Sequence, residues 1–454
     1  RGRGNLSSVA NPYFLFPQIY NFRYNIYSSE WPVANRAIEL YLQKKSENEG
    51  WERQINGLSN NEKANLLLEK HTFKELLADV EQRNLQNNIV GLEASRLFAR
   101  SEINMGVDAF RDSLYAMLKR NTFLNIKFEN MLDTLGEMSQ TDLYSYLKEW
   151  EQLTPLPFYS IGEPELTKVV NKGGEEFFVL KVLVSNNSDY DGIIQMNVLQ
   201  NGWWYQPMED PRARKKVEIA AHTSKEFVSV WEEQIRDVEI NTMVSGNLPY
   251  MIRQSIGNVK QERNKIVKDT IYTLPESSLE MPGEVIVDNE DSTLFVLSTP
   301  AVVGLLPKWL DKVEDTSFKY SGISWWRAPL QWTATTNAKY YGKYIRSAYV
   351  IKSGDGSQTA TWKIPVPEAG QYELYYHVFK DDELRWNDRL QGEYHFRVAY
   401  DSGMEDAYIN LRKANEGWEQ LGTYYFSADT VRVVLTDECK LRSVTADAVK
   451  IVKR

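Results

Sequence analysis

At 454 residues the chain is long enough for about three domains, and its 42% hydrophobic and 25% charged residues are those of an ordinary globular protein. A net charge of −9 argues against nucleic acid as the main partner, which wants a basic face. No stretch approaches the roughly 20 uninterrupted apolar residues of a membrane span, and one cysteine, Cys439, excludes an internal disulfide framework.

The opening, RGRGNLSSVANPYFLF, lacks an initiator Met and a signal-peptide cleavage pattern, and reads as the start of a piece of something longer. Residues 30 to 152 then read as helices. Ala34, Ile38, Leu40, Tyr41 and Leu42 form one apolar cluster, and Ser59 three residues before Glu62 has capping-box spacing. Leu66, Leu67, Phe73, Leu76 and Leu77 continue the pattern. Val107, Phe110, Leu114, Met117 and Leu118 fall on one helix face. Ser139 with Asp142 predicts another helix start, followed by Leu143, Leu147 and Trp150, and Pro155 and Pro157 end the region.

From residue 158 the period changes to two. EEFFVLKVLVSNN and DGIIQMNVLQNGWWYQP predict a strand and its neighbour, and KKVEIAAHTSKEFVSVW supplies another pair. Pro275, Pro282 and Gly283 mark a linker. A second β-rich segment follows, in which QYELYYHV puts Tyr372, Leu374 and Tyr376 on one face of a strand.

The four histidines, His71, His222, His377 and His395, are too far apart for a helical zinc pair at HExxH spacing. Asp288, Glu290 and Asp291 are close enough to gather a cation, but no Gly follows at the required turn and a solvated acidic loop is the plainer reading. The run RARKK at 212 to 216 reads as a basic hairpin tip. No nucleophile elbow, P-loop or dinucleotide fingerprint is present. The unusual total is aromatic: 13 Trp and 26 Tyr, with seven of the Trp after residue 300. Aromatic-rich β domains offer ring platforms to sugars and proteins, and also simply pack well.

Gly106, Phe110, Leu114, Phe128, Leu132 and Trp150, in a series of helices, resemble the end of the catalytic domain of M1-family aminopeptidases, and the β segment after them resembles that family's small β-sandwich. If Glu39 is the family's third zinc ligand, its HExxH slot falls on Phe16, Pro17, Gln18, Ile19 and Tyr20, and its transition-state Tyr falls on Asn88. The resemblance therefore implies a degenerate site at Phe16, Pro17, Tyr20, Glu39 and Asn88, with no catalytic residue, metal or cofactor.

Val287-Asp288-Asn289, Tyr341-Gly342, Arg346 and Ala446-Asp447-Ala448-Val449 mark a series that resembles the golvesin or xanthan-lyase C-terminal-like module, a carbohydrate-binding-like β-sandwich of secreted bacterial proteins. Trp386, in a polar loop, is its leading candidate for contact with a glycan or protein partner, followed by Trp326, Tyr340, Tyr341 and Arg346. Trp325 and Trp326 are adjacent, so a strand would point them to opposite faces.

The expected architecture is thus multidomain α + β: a helical M1-peptidase-like domain at 1–157, a small β-sandwich at 158–275 and a second at 284–454. The expected function is that of a non-catalytic binding or scaffold protein of the bacterial periplasm or cell surface, such as the soluble part of a transporter-associated protein. Its partner would be a carbohydrate or a protein, with no nucleic acid and no membrane span in this chain. The alternative is a zinc aminopeptidase whose HExxH lies upstream.

Overall fold

The computed structural model describes residues 24–43, 49–171, 173–199, 210–257, 259–263, 267–277, 279, 283–298, 318–323, 328–380, 392–427 and 429–454. The chain forms two compact units. The first comprises residues 1–47 and 60–278, and the second residues 48–59 and 279–454.

In the first unit the helical period is expressed as short helices around one long one. The long helix, Gln86–Met105, buries Ile89, Val90, Leu92, Leu97 and Phe98. It stops at Gly106, whose φ of 87° favours glycine, and Val107–Arg120 follows at once with Phe110, Leu114 and Leu118 buried. An aromatic cluster holds the helices. Trp150 lies edge-on to Trp31 at 5.2 Å and to Phe73 at 4.7 Å, and stacks at 6.4 Å on Phe128. A capping box forms at Thr72 and Glu75, where each side chain bonds the other's backbone N–H, and the helix Asn60–Leu68 begins directly after Ser59. The helix Leu143–Lys148 starts at Asp142 alone, because Ser139 is buried in the preceding helix and bonds Ser101 at 2.8 Å.

The strands of this unit form a six-stranded sheet built on Glu176–Asn186, which pairs with both Glu165–Val170 and Thr223–Trp231, and a four-stranded sheet built on Gly192–Leu199. Alternate residues of both sheets, among them Leu180, Val182, Val184, Ile194, Met196, Val198, Phe227 and Ile240, share one core.

The second unit is almost wholly β. One sheet has the order Glu284–Val287, Val449–Lys453, Gly370–Val378, Gly417–Phe426. A five-stranded sheet carries Thr359–Pro365 and Glu393–Tyr400, and a three-stranded one is centred on Ser347–Lys352. Trp362, Tyr372, Leu374, Tyr376, Phe396, Phe426 and Ile451 lie in their common core.

The expected fold class is overturned. Strand outweighs helix, 40% against 24%, and the described strands are spread over six sheets, most of them small. A helical peptidase-like domain followed by two sandwiches does not describe this chain. The apolar spacing does place helices between 34 and 148, but it reports only which face of each is covered. Apart from the helix Glu49–Asn56, which belongs to the second unit, the helices and the strands through 278 fall into one compact unit.

Trp150→Ala is expected to lower the unfolding free energy by about 3–5 kcal/mol. Tyr115→Ala, at a side chain 48% exposed, is expected to change it by no more than about 0.5 kcal/mol. Urea unfolding followed by circular dichroism checks both.

Candidate functional site

Period-two alternation sorts the strand Gly370–Val378 into two faces. Tyr372, Leu374, Tyr376 and Val378 are buried in the core, so Tyr375 and His377 point the other way. Register then sets their neighbours. His377 lies opposite Trp418, Tyr375 opposite Lys450, and Lys450 opposite Ile286. The outer face of this sheet therefore carries a connected set of rings and charges. The Lys450 ammonium sits 4.9 Å over the Trp418 ring and 5.3 Å over Tyr375, and it pairs with Glu284 at 2.7 Å.

The loop at Tyr341 meets this face. Its ring lies 5.0 Å from Trp418 and 5.7 Å from His377, whose own rings are 5.1 Å apart. Gly342 lets the loop turn, since a Cβ there would stand 1.9 Å from the Ile345 carbonyl oxygen. A cleft of about 190 Å³ opens beside the loop, lined by Glu284, Ile286, Asp288, Tyr341 and Lys343.

Asp447 fixes the loop. Its carboxylate is fully buried, accepts the Tyr341 backbone N–H at 3.2 Å and pairs with His377 Nδ1 at 2.9 Å. Its carbonyl accepts from the Trp362 indole at 3.2 Å. Burial raises the pKa of Asp447 against the opposing pull of His377, the Tyr341 N–H and Arg346. Burial also pushes Asp288 well above the usual carboxylate range, reinforced by the negative charges of Asp447 and Glu290.

Asp288 and Tyr341 line this cleft, and Asp447 holds Tyr341 in place without lining it. Arg346 lies behind it, donating to the Ala338 carbonyl at 2.8 Å. Tyr340 is buried and packs on Phe379 at 4.7 Å, so it serves the core rather than the cleft. Trp326 and Trp386, like Trp325, lie outside the described residues. Sequence reasoning missed Trp418, His377, Lys343 and Lys450. The alternation that buries Tyr376 already implies an outward His377, but Trp418 needs the register between two strands far apart in the chain.

The acidic run at 288–291 does not gather. Glu290 bonds Lys319 and Tyr320, and Asp291 caps the turn at Thr293. No group of three or more metal-ligating side chains forms among the described residues. Glu39 is a buried helix carboxylate that pairs with Arg36 at 3.1 Å and accepts from Asn35 at 2.9 Å. Asn88 donates to Asn61 at 2.8 Å. Phe16, Pro17, Gln18, Ile19 and Tyr20 lie outside the described residues.

Residues 326–453 match the Golvesin C-terminal domain family. No curated protein matches the chain. Among solved structures, a Paenibacillus xanthan lyase is 17% identical with a TM-score of 0.27; the alignment covers 66% of this chain and 27% of the lyase. An exo-β-1,3-galactanase from Phanerochaete chrysosporium is 5% identical with a TM-score of 0.22, over 64% of this chain and 68% of its own. A Bacteroides uniformis β-glucuronidase is 10% identical with a TM-score of 0.19, over 69% of this chain and 31% of its own. Overlap this low carries no argument about the chain. The peptidase resemblance of the first half finds no support in any comparison.

A carboxyl whose folded pKa is raised binds more protons folded than unfolded, so its contribution to stability falls as pH rises above the ordinary Asp value of 3.8. Asp288→Asn removes that charge. The variant is expected to melt above the wild type at pH about 8, with the gain vanishing as pH falls toward about 3. Thermal melts across that range check the slope.

Proposed function

We propose that the C-terminal unit binds a glycan at the cleft beside Tyr341, and that the chain is a binding protein rather than an enzyme, working outside the cytoplasm. The observation that carries this reading is the Trp418–Tyr341–His377 ring cluster, whose Tyr341 lines a cleft shared with Glu284, Asp288 and Lys343. Sugar recognition wants an aromatic surface for the apolar face of the ring and a few fixed hydrogen-bonding groups for its hydroxyls. Trp418 and Tyr341 provide the first, and Asp288, Glu284 and Lys343 the second. A cleft of about 190 Å³ suits one sugar unit or a chain end rather than a long buried segment.

The same arrangement favours binding over bond cleavage. Asp447 is sealed from solvent and its carboxylate is engaged by Tyr341 and His377, which suits an anchor and not an acid or base that must reach substrate. The match to the Golvesin C-terminal domain family supports an extracellular setting, because such domains occur in secreted proteins.

Isothermal titration of the full chain against neutral and uronic-acid oligosaccharides tests the proposal. Saturable binding is expected, weakened at least about tenfold by Trp418→Ala with the circular dichroism spectrum unchanged. No binding across the panel, or binding that Trp418→Ala leaves intact, would overturn it. A protein partner captured through the same face would then be the reading to pursue.

A further inference from the structure

A short stretch from the first half of the sequence is built into the C-terminal unit. Residues 48–59 belong to that unit, although residues 1–47 and 60–278 on either side of them do not. The helix Glu49–Asn56 ends at Gly57, whose φ of 79° favours glycine. Gly57, Leu58 and Ser59 are buried.

Two glycines fit this stretch against Ser321 and Gly322. A Cβ on Gly57 would stand 2.3 Å from the Ser321 carbonyl carbon, and one on Gly322 would stand 1.9 Å from the Ile55 carbonyl oxygen. Each glycine thus lets one backbone lie directly on the other, and a side chain at either place would drive them apart. Thr336 closes the contact. Its buried hydroxyl donates to the Gly57 carbonyl at 2.8 Å.

Both walls of the cleft in this unit lead back to that contact. Thr336 ends the strand Thr333–Thr336, and the loop 337–346, which carries Tyr341 and Lys343, starts immediately after it. The loop returns to Ser347, the partner of Thr336 in register, and the Asn337 N–H closes its neck on the Arg346 carbonyl at 3.1 Å. The opposite wall is reached through residues 319–321. The Ser321 N–H donates to the Ala334 carbonyl at 2.8 Å, while Lys319 and Tyr320 bond Glu290 at 2.5 and 3.1 Å. Glu290 lies two residues beyond Asp288, and the Ser347 hydroxyl bonds it as well. Residues 55–57 and 319–322 both fall outside the stretch 326–453 that matches the family, so the match does not account for this contact.

We propose that residues 55–57 are a strap that positions the loop 337–346, with Thr336 as the positioning residue that joins the two, an inference that rests on the glycan reading of the cleft. Asp447 holds the loop near its middle, at Tyr341, and the strap holds it at its root. Affinity falls with the fraction of molecules whose loop is in place, so the strap sets how tightly the cleft binds without touching the ligand.

Hydrogen–deuterium exchange of the full chain, paired with titration of the neutral and uronic-acid oligosaccharides, tests the strap. Thr336→Val removes the hydroxyl and keeps the shape. It is expected to speed exchange in 337–346 about tenfold, to leave the core strand Gly370–Val378 unchanged, and to weaken oligosaccharide binding at least about threefold. Thr336→Ser, which keeps the hydroxyl, is expected to restore both. Gly322→Ala is expected to act in the same direction as Thr336→Val, and where it fails to fold the threonine pair still decides. Unchanged exchange in 337–346, or acceleration spread equally over Gly370–Val378, would overturn the strap. So would a loosened loop with undiminished binding. Exchange needs no ligand, so it decides whether the strap holds the loop even where no oligosaccharide binds the wild type, a result that would overturn the glycan reading.

Discussion

A carboxylate taken out of water must be met by donors, and Asp447 is the buried charge around which the C-terminal unit is arranged. One oxygen pairs with His377 of a neighbouring strand, and both take the backbone N–H of Tyr341. The first bond sets the orientation of an imidazole on the outer face of the sheet. The second holds a loop that has no strand to fix it. Replace the carboxylate by an apolar group and both donors lose their partner, so loop and ring would be released together.

Everything the cleft offers follows from that fixed loop and from the pleat of one sheet. With Tyr341 held, its ring meets Trp418 and His377. The pleat directs Tyr372, Leu374 and Tyr376 into the core and leaves Tyr375, His377, Trp418 and Lys450 to build the outer face. Lys450 is retained there because Glu284 neutralises it and two aromatic faces receive it. The inner face supplies stability and the outer face chemistry, and a slip of one residue in register would exchange them.

This division was partly legible in the sequence. Alternation along QYELYYHV marks the buried tyrosines. The short segments around Asp288, Tyr341 and Asp447 stand out as markers of a resemblance, though nothing in their spacing says that they meet. Trp418 was not legible, because its pairing with His377 depends on how two strands far apart in the chain come into register. Tyr340 illustrates the converse, a ring next to a functional one that the loop turns into the core against Phe379. In the first half, apolar spacing located helices such as Val107–Arg120, yet the order of such patterns does not distinguish one helical architecture from another. Capping spacing was legible too: Ser59 and Glu62 mark the start of the helix Asn60–Leu68, and Thr72 and Glu75 form reciprocal bonds at the start of the next.

The central claim is that the rings around Tyr341 are the surface a glycan meets. Fluorine NMR of protein carrying 5-fluorotryptophan tests it most directly, with the Trp418 resonance assigned by its loss in Trp418→Phe. On titration with an oligosaccharide that binds, the account predicts that the Trp418 signal shifts in saturable fashion while that of Trp150, buried in the other unit, stays in place. A Trp418 signal that does not move while binding saturates would contradict it.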